Sequence, residues 1–339
     1  MKKKLKVLVL FDGVQPTPID ADLSEEMKTE DWQTEANVMA ALSQLGYTAE
    51  HLAIFDDVDL VRQKMESFGP HVLFNLVEQF KNNPGFDQNI VSLLEMQGVP
   101  FTGCGSTGLT LCKHKGISKK ILGHHGIPTP NFVVIPRGQR IGRSRQLKFP
   151  ILVKPVKDEA SYGISQASLV KDEDQFRDRV AFIHEKHKSD VIAEEYIDGR
   201  ELYVSILGNT RLQVFPIREL VFRDVPPNEP KIATYKAKWD DEYRKRWGLD
   251  GLFAQDLDPA LVTGIQKMCK NIYRLLTIDG YARIDLRLAP DNKIYFIEAN
   301  PNPHLAADED FAQSAEKAGL KYPQLIDAII RLGMKTVRA

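Results

Sequence analysis

Apolar segments alternate with amphipathic segments along the first hundred residues. The apolar segments, which predict β-strands, are residues 6–11, 71–77 and 99–103. The amphipathic segments, which repeat apolar residues at helical spacing and each end on glycine, are residues 32–46, 58–69 and 87–98. Strands that alternate with helices are typical of a parallel sheet with right-handed crossovers. The pattern therefore predicts a doubly wound α/β domain over residues 1–103.

The pattern changes after residue 103, where strands follow one another with fewer helices between them. The predicted strands are residues 132–136, 149–155, 165–170, 191–197, 200–208, 211–222, 281–288 and 293–300. The predicted helices are residues 109–126, 173–186, a segment near 259–276, and the closing segment 309–335. This order is typical of mostly antiparallel α+β units. We divide this part of the chain into residues 104–197 and 198–339.

Composition and charge exclude several classes of function. The chain has 339 residues, a net charge of -1, 43% hydrophobic residues and 27% charged residues. A nearly neutral chain argues against nucleic acid as the main partner, because phosphate-binding surfaces usually carry a basic excess. The apolar run near the amino terminus stops at Asp12 without a small-residue cleavage site, and no segment approaches a membrane span. Three cysteines without a CxxC pair fit a reducing cytoplasm.

Two consecutive strands near the carboxyl terminus carry the clearest chemistry. YARIDLRL and KIYFIEAN are joined by the turn-forming segment APDN, which predicts a hairpin. Asp285 lies in the first strand, and Glu298 and Asn300 share one face of the second. Three side-chain oxygen donors in one patch suit Mg²⁺ held jointly with phosphates. An acidic strand facing solvent is the plain alternative, but the preceding KIYFI run reads as buried. Arg283 shares the face of Asp285 and suits oxyanion stabilisation.

Phosphate and nucleotide contacts are predicted elsewhere in the chain. Lys154 ends a strand in VKP, and the small-residue loop that follows has amides suited to phosphates. That loop is Ala160, Ser161, Tyr162 and Gly163. Lys115 lies in the preceding helix, and the acids of AEEYIDGRE (193–201) suit an adenine amine and ribose hydroxyls.

Taken in order, these motifs resemble an ATP-grasp enzyme, most closely the D-alanine:D-alanine ligase branch. The motifs are Lys115, VKP with its loop, EEYIDGRE, YKAKW, YARID and IEANPNP, and residues 93–122 are also similar to that branch. The resemblance covers nearly the full length. It implies an ATP-grasp fold, in which the doubly wound domain precedes two α+β units that sandwich ATP.

The resemblance also implies a role for each matching residue. The implied ATP-binding residues are Lys115, Lys154, Ser161, Tyr162, Gly163, Glu194, Glu195, Tyr196, Ile197, Glu201 and Lys238. Asp285, Glu298 and Asn300 would bind one or two Mg²⁺ ions, or Mn²⁺ in their place. Arg283, Lys238 and Ser161 are the implied catalytic residues, with Lys238 on a mobile loop over the γ-phosphate.

The implied reaction is ATP-dependent joining of a carboxylate to an amine through an acyl phosphate. A carboxylate resists direct attack by an amine because oxide is a very poor leaving group, so phosphorylation must come first. Phosphoryl transfer itself is catalysed mainly by positioning and electrostatics. Small carboxylates and amines, amino acids above all, are the expected substrates, and the resemblance suggests a homodimer.

Three departures from the branch fall on parts that recognise its substrates. Residues 77–88 replace a His-Gly-x-x-Gly-Glu-Asp-Gly stretch and put Glu78 near the histidine's place, Trp239 replaces a tyrosine, and NPNPHLA puts His304 where glycine is expected. The candidate substrate-binding residues are Glu35, Trp239, Asn302 and His304. The favoured reading is therefore a ligase with divergent substrates.

Other functions remain open at the level of sequence. A true D-alanine:D-alanine ligase is the nearest alternative, and a kinase or a nucleotide-binding protein with a decayed site are the others. The segment GCGSTG (103–108) matches a dinucleotide-binding pattern. That match lacks the acidic residue about 20 positions later, which disfavours an oxidoreductase.

Overall fold

The computed structural model describes residues 5–142, 146–157, 161–226 and 229–335. Its strands are β1 (Lys6–Asp12), β2 (Thr48–Ile54), β3 (Val72–Asn75), β4 (Phe132–Ile135), β5 (Ile151–Pro155), β6 (Leu169–Val170), β7 (Val191–Glu195), β8 (Arg200–Leu207), β9 (Gln213–Val214), β10 (Arg218–Phe222), β11 (Leu249–Phe253), β12 (Tyr281–Leu288) and β13 (Ile294–Pro301). Its helices are α1 (Gln33–Gln44), α2 (Asp59–Phe68), α3 (Asp87–Met96), α4 (Ser106–Lys113), α5 (Lys115–His124), α6 (Glu173–Phe182), α7 (Tyr235–Trp239), α8 (Asp241–Arg246), α9 (Pro259–Leu275), α10 (Asp310–Lys317) and α11 (Tyr322–Lys335).

The first sheet is parallel, in the order β2-β1-β3. Its central strand β1 is buried along most of its length, as the apolar run predicts. The pattern missed β2, because its sequence TAEHLAI places Glu50 and His51 inside the strand and shows no continuous apolar run. Residues 99–103, predicted as a strand, form an isolated bridge between Leu73 and Phe101 instead.

The second sheet, which is the central sheet of the chain, is antiparallel, in the order β4-β7-β5-β6. Helix α6 packs on this central sheet. The single helix predicted over residues 109–126 is two helices, α4 and α5. The chain breaks at His114, whose ring nitrogen accepts the backbone N–H of Ile117 and caps α5. The predicted strand 165–170 begins as a 3₁₀ turn and reaches extended backbone at β6.

The third sheet has the order β11-β10-β8-β12-β13, with β9 paired to β8. All its pairs are antiparallel, including the β12–β13 hairpin that the turn signal predicts. The sequence pattern missed β11, and the segment predicted as a mobile loop around residue 238 folds into the short helices α7 and α8. Among the described residues, none of the helices combines the length and apolar character that crossing a bilayer requires.

The apolar cores connect the first and third sheets. One cluster joins Leu8 and Leu10 of β1 to Leu202 and Ile284 of the third sheet, and a second joins Val9 to Tyr281 in the same way. The central sheet has its own cluster, drawn from residues 133–193. The first and third sheets therefore share buried surface, while the central sheet is packed around a separate core. The division into residues 1–103, 104–197 and 198–339 stays a prediction.

Candidate active site

One face of the β12–β13 hairpin assembles the residues that the sequence singled out. Arg283 lies opposite Asn300 in the ladder, and Asp285 lies opposite Glu298. The Arg283 guanidinium donates to both carboxylate oxygens of Asp285, at 2.8 and 3.0 Å, and Asn300 Nδ2 donates to Asp285 Oδ2 at 3.0 Å. Because side chains alternate along a strand, the two-residue spacing places all of them on one face.

The charged side chains on this face are paired with each other. Burial opposes the charged form of Arg283, but Asp285 outweighs it and raises the pKa of the guanidinium. The guanidinium also lies 4.8 Å above the ring centre of Tyr203. Arg283 is therefore a permanently positive group, fixed on two sides, next to the predicted metal ligands.

A bulge in β13 shapes this region. Asp285 pairs with Glu298, whereas Leu286 pairs with Phe296, so Ile297 is an extra residue in the ladder. The extra residue allows both Ile297 and Glu298 to line the same cleft. The ammonium of Lys119, on α5, donates to the carbonyl oxygens of Phe296 and Ile297 at 3.3 and 2.7 Å. Lys119 thus supports the bulge, a role that no local sequence pattern indicates because its partners are distant in the chain.

A buried ion group joins α5 to the central sheet. Glu194 lies 3.2 Å from the Lys119 ammonium and 3.1 Å from that of Lys154. Burial acts to raise the pKa of Glu194, but the two lysines outweigh it and lower that pKa. Burial lowers the pKa of Lys119 to about 8, whereas Glu194 and Glu298 overcome burial at Lys154 and raise its pKa. Lys154 therefore presents a stable positive charge, and the carboxylate of Glu194 is already engaged.

An open cleft of about 660 Å³ lies between the central and third sheets. Nine of the predicted site residues line it: Lys154, Ser161, Glu194, Glu195, Tyr196, Ile197, Glu201, Asp285 and Glu298. The other predicted residues lie beside it. Lys115 is 3.6 Å from Glu298, and Arg283 and Asn300 contact Asp285. The structure thus brings together residues from four separate segments of the chain.

Arg287 also lines this cleft and was missed. Its guanidinium lies 3.1 Å from Glu201 Oε2, and it donates to the carbonyls of Gly199 and Lys231 at 3.0 and 2.6 Å. The sequence could have indicated Arg287, since it follows Asp285 by two residues and side chains two apart in β12 share a face. Arg287 holds Glu201 in place at the predicted ribose position.

The donor set of the hairpin fits a hard cation. Asp285 and Glu298 offer carboxylate oxygens, and Asn300 uses its amide nitrogen on Asp285, which leaves its amide oxygen for a cation. Across the described residues there is no group of three or more histidine, cysteine, aspartate or glutamate side chains arranged to hold a metal. A divalent ion here would therefore need oxygens from another molecule, as nucleotide phosphates supply.

A loop and a neighbouring segment close one side of the cleft. Ser161 Oγ donates to the carbonyl of Ala233 at 2.8 Å, and Tyr235 N donates to Ile164 O at 3.0 Å. The rings of Tyr162 and Tyr235 meet edge to face, 5.1 Å between centres, and Tyr162 is exposed outside the cleft.

Gly163 shows why this loop needs glycine. Its φ is +71°, and a Cβ there would lie 2.8 Å from the Pro155 ring. Gly163 turns the loop back over β5 and does not line the cleft. Ala160 lies outside the described residues, as do the side chains of Lys238 and Trp239, although the backbone of both belongs to α7.

A second, open cavity, of about 940 Å³ with the solvent at its mouth included, gathers three of the candidate substrate residues, Glu35, Asn302 and His304. His304 Nε2 lies 3.1 Å from Thr34 Oγ1 at the start of α1. Asn302 Oδ1 accepts the backbone N–H of Cys104 at 2.7 Å, so this side chain also fixes the local backbone. Tyr281 lines this cavity two residues before Arg283, which places it at the other end of the same hairpin face.

The dinucleotide-like segment GCGSTG has a structural role. The backbone N–H of Gly105 donates to Asp279 Oδ1 at 2.8 Å, and that of Ser106 donates to Glu95 Oε1 at 3.0 Å. Carboxylates therefore occupy the amino-terminal amides of α4, where a phosphate would bind in a dinucleotide fold. This placement agrees with the weak match in sequence.

Known proteins resemble this chain over most of its length. The family model described as D-ala D-ala ligase C-terminus matches residues 121–331. The chain belongs to the D-alanine–D-alanine ligase family. The uncharacterized protein y4sG of Sinorhizobium fredii is 32% identical over 302 residues, which cover 87% of this chain and 85% of that protein. The D-alanine–D-alanine ligase of Caldicellulosiruptor bescii is 29% identical over 265 residues, or 75% of this chain and 68% of that enzyme.

Solved structures agree on the fold. The D-alanine–D-alanine ligase from Bacillus anthracis, complexed with ATP, superposes with a TM-score of 0.75 at 23% identity and covers 98% of both chains. That from Coxiella burnetii gives a TM-score of 0.70 at 19% identity and covers 98% of this chain and 94% of the other. The predictions of the ATP-grasp fold and of an ATP-dependent ligase of this family are confirmed.

Proposed function

We propose that the chain joins a small carboxylate to a small amine at the expense of ATP, through an acyl phosphate. The observation that carries the proposal is the single cleft in which Lys154, Arg287 and the acids of the β12–β13 hairpin meet, with Arg283 beside them. A solved ligase with the same fold was obtained in complex with ATP, which supports ATP as the nucleotide of this chain.

In this proposal the nucleotide lies along the cleft between the central and third sheets. Lys154 and Lys115 bind phosphate oxygens, since both are buried cations at the end that faces Glu298. The Glu194 carboxylate is already paired with two lysines, so it is not available to the adenine. The adenine is contacted instead by the backbone of residues 195–197. Glu201, held by Arg287, binds the ribose hydroxyls.

The hairpin acids hold the divalent ions of the proposed reaction. Asp285, Glu298 and Asn300 would bind one or two Mg²⁺ ions, or Mn²⁺, together with phosphate oxygens. When bound, such an ion neutralises the negative charge of the phosphates and of the departing ADP. Arg283 stays outside that ligand set, because its guanidinium already pairs with Asp285 and points along the same face.

The chemistry takes two steps. An oxygen of the substrate carboxylate attacks the γ-phosphorus, and the bond to the bridging oxygen breaks to release ADP. The nitrogen of the amine then attacks the carbonyl carbon, the bond to the phosphate oxygen breaks, and the amine loses a proton. Arg283 stabilises the oxyanion of the tetrahedral intermediate. The Ser161 loop and the segment at Ala233, with Lys238 beyond it, exclude water that would hydrolyse the acyl phosphate.

Amino acids are the substrates that the family suggests, and a D-alanine–D-alanine ligase is the second candidate function. The relatives from Caldicellulosiruptor bescii and Moorella thermoacetica carry that name. The second cavity favours other substrates, because Asp12, Asp31, Glu35 and Glu78 line it and give it an acidic character. A nucleotide-binding protein with a decayed site is disfavoured by the intact pairing around Asp285 and Glu194.

The test is ADP formation with Mg²⁺ across D- and L-amino acids, amines and small carboxylates, with mass spectrometry of the products. An amide together with stoichiometric ADP and phosphate supports the ligase. A phosphorylated carboxylate or alcohol without an amide would point to a kinase, and a D-alanine dipeptide as the best product would favour the second candidate.

The matched variants for this test are Glu298→Gln and Glu316→Gln. Glu298→Gln removes a hairpin carboxylate, and we expect it to lower ADP formation at least about a hundredfold. Glu316→Gln, on the exposed surface of α10, should leave the rate unchanged. Equal rates for wild type and Glu298→Gln, with both proteins folded by circular dichroism, would refute the assignment of the cleft.

A further inference from the structure

One wall of the cleft between the central and third sheets is a short segment that leads into α7, residues 231–235, which we call the strap. Ala233 of the strap lines the cleft. Its carbonyl accepts a hydrogen bond from Ser161 Oγ, and Tyr235 N donates to Ile164 O. The carboxyl-terminal end of the strap is therefore fixed to the loop that follows β5 of the central sheet.

The amino-terminal end of the strap is fixed to the third sheet by Arg287. Arg287 Nη2 donates to the Lys231 carbonyl at 2.6 Å, although the two residues are 56 positions apart in the chain. The Tyr196 hydroxyl donates to the same carbonyl at 3.3 Å. Arg287 is 6% exposed, and a hydrogen bond from a buried, charged donor is stronger than one between neutral groups in water. Arg287 is therefore the stronger of these two attachments.

The same guanidinium holds a carboxylate of the cleft. Arg287 lies directly opposite Glu201 in the β12–β8 ladder, and its Nη2 lies 3.1 Å from Glu201 Oε2. The Tyr203 hydroxyl donates to Glu201 Oε1 at 2.9 Å. A carboxylate accepts about four hydrogen bonds, so Glu201 keeps capacity for the hydroxyls of a ligand. One nitrogen of Arg287 thus contacts both Glu201 and the strap.

The geometry of the guanidinium makes these two contacts depend on each other. Nη1 of Arg287 donates to the Gly199 carbonyl at 3.0 Å, in the turn before β8. The guanidinium is a rigid plane, so a shift of Nη2 with Glu201 also changes its distance to the Lys231 carbonyl. Ligand hydroxyls that hold Glu201 in one position therefore also hold Arg287 against the strap. By reciprocity, an ordered strap strengthens the binding of those hydroxyls by the same factor.

We propose that Arg287 is a positioning residue that couples recognition of the nucleotide sugar to ordering of the strap. A nucleotide with both ribose hydroxyls fixes Glu201, and Arg287 then holds Lys231 and the strap against the cleft. A deoxynucleotide bound in the same cleft leaves the strap less ordered. The proposal rests on the proposed function for the placement of the ribose at Glu201, and it does not require turnover.

The probes are ADP, 2′-deoxyADP and 3′-deoxyADP with Mg²⁺, which carry no γ-phosphoryl group to transfer. In isothermal titration of the wild type, we expect ADP to bind at least about tenfold more tightly than one of the deoxy forms. Hydrogen exchange of residues 232–235, measured with each nucleotide at saturation, should be slowest with ADP. Equal exchange with all three nucleotides would overturn the proposal, and this outcome needs no variant.

Arg287→Met removes the guanidinium and keeps an unbranched side chain. We expect its preference for ADP to fall to about twofold or less, because Glu201 loses its link to the strap. Exchange of the strap should become the same with all three nucleotides. Arg274→Met, on the exposed face of α9, is the matched control and should keep both differences. Both differences retained in Arg287→Met would overturn the proposal.

Tyr196→Phe separates the coupling from simple support of the strap. It removes the other donor to the Lys231 carbonyl but leaves the contact between Arg287 and Glu201. We expect faster exchange of the strap without nucleotide and an undiminished difference between ADP and its deoxy forms. Loss of that difference in Tyr196→Phe would show that any weakened strap gives the same result, which would overturn the coupling.

Glu201→Gln separates this proposal from the proposed function. A preference for ADP that survives in Glu201→Gln would contradict the placement of the ribose, and this proposal with it. A preference lost in Glu201→Gln but retained in Arg287→Met would contradict the coupling and leave the proposed function in place. The expected coupling without amide formation from any carboxylate and amine pair would contradict the ligase and support the role of Arg287.

Discussion

At the residue scale, the site is built from charges that are either paired or left uncompensated. Glu194 has two lysines within 3.2 Å, and Asp285 binds Arg283 through both oxygens. Glu35 and Asp12 face each other's charge without such partners. The paired acids hold the cleft between the central and third sheets in shape, whereas buried acids without a cation partner lower the stability of the fold.

Glu35→Gln should therefore stabilise the protein without ligand. We expect the free energy of unfolding at pH 7 to rise by about 0.5–1 kcal/mol, because the variant removes a partly buried charge beside Asp12. The raised pKa means that the folded state holds the Glu35 proton more tightly than the unfolded state. The stabilising contribution is present below the ordinary pKa of glutamate and is lost as the pH rises through the raised one.

Urea unfolding at several pH values between about 4 and 7 measures this effect. The wild type should lose more stability than Glu35→Gln as the pH rises through this range, and Glu30→Gln should follow the wild type. A destabilised Glu35→Gln at pH 7 would show that the carboxylate has a partner that stabilises it.

At the element scale, helix α5 and strand β13 depend on each other. The bulge at Ile297 turns two consecutive residues toward the cleft, and the Lys119 ammonium satisfies the carbonyls beside it. The same ammonium reaches Glu194 of β7. One buried side chain thus connects three elements, of which β7 and β13 line the cleft between the central and third sheets.

Lys119→Met should break this connection. We expect a loss of about 3 kcal/mol in the free energy of unfolding, since removing one member of a buried ion group leaves the others uncompensated. Lys120→Met is the matched control, because Lys120 is the next residue of α5 and is exposed. Chemical denaturation measures both variants, and equal stabilities would refute the supporting role of Lys119.

The Ser161 loop should depend on its bond to Ala233. Ser161→Ala removes one hydrogen bond, and we expect faster amide exchange over residues 232–235 and a KM for ATP about fivefold higher. Ser161 has a left-handed backbone, φ +61°, and Ser161→Gly relieves the strain of that conformation. Because Ser161→Gly still lacks the hydroxyl, it should show the same changes as Ser161→Ala. Ser189→Ala, outside the cleft, is the control, and wild-type exchange in both Ser161 variants would contradict this role.

At the scale of the whole molecule, the arrangement of the cores predicts how the protein opens. Two clusters tie the first sheet to the third, and the central sheet has a separate cluster. Because apolar surface shared by two sheets must be exposed by both together, we expect the first and third sheets to open as one unit and the central sheet as another.

A pair of core variants tests this expectation. Val9 belongs to a shared cluster and Val153 to the central one, and both are fully buried. Each change to alanine should cost about 2–3 kcal/mol. In hydrogen exchange, Val9→Ala should accelerate β1 and β12 together, and Val153→Ala should accelerate β5 and β7. Acceleration of β1 by Val153→Ala to the same degree would show a single cooperative unit.

Elements with a strong local pattern could be predicted, and those with a weak one could not. Apolar and polar residues alternate in β12 and β13, and a turn joins the two strands. Their pairing and their shared face could therefore be predicted from the two-residue period and the turn. β2 and β11 carry polar residues or glycine within the strand, and their position depends on a neighbouring strand in space. Short helices such as α7 have too few turns to show a period.

The hairpin that carries Asp285, Glu298 and Asn300, the cation at Lys154 and the ATP-grasp fold could be predicted from the sequence alone. Each depends on residues close together in the chain or on motifs in a fixed order. The tertiary structure decided which charges pair, where Lys119 and Arg287 act, and that Asp12, Glu35, Asn75 and Tyr281 line one cavity. Those outcomes depend on contacts between distant segments, whose burial and charge balance no local pattern encodes.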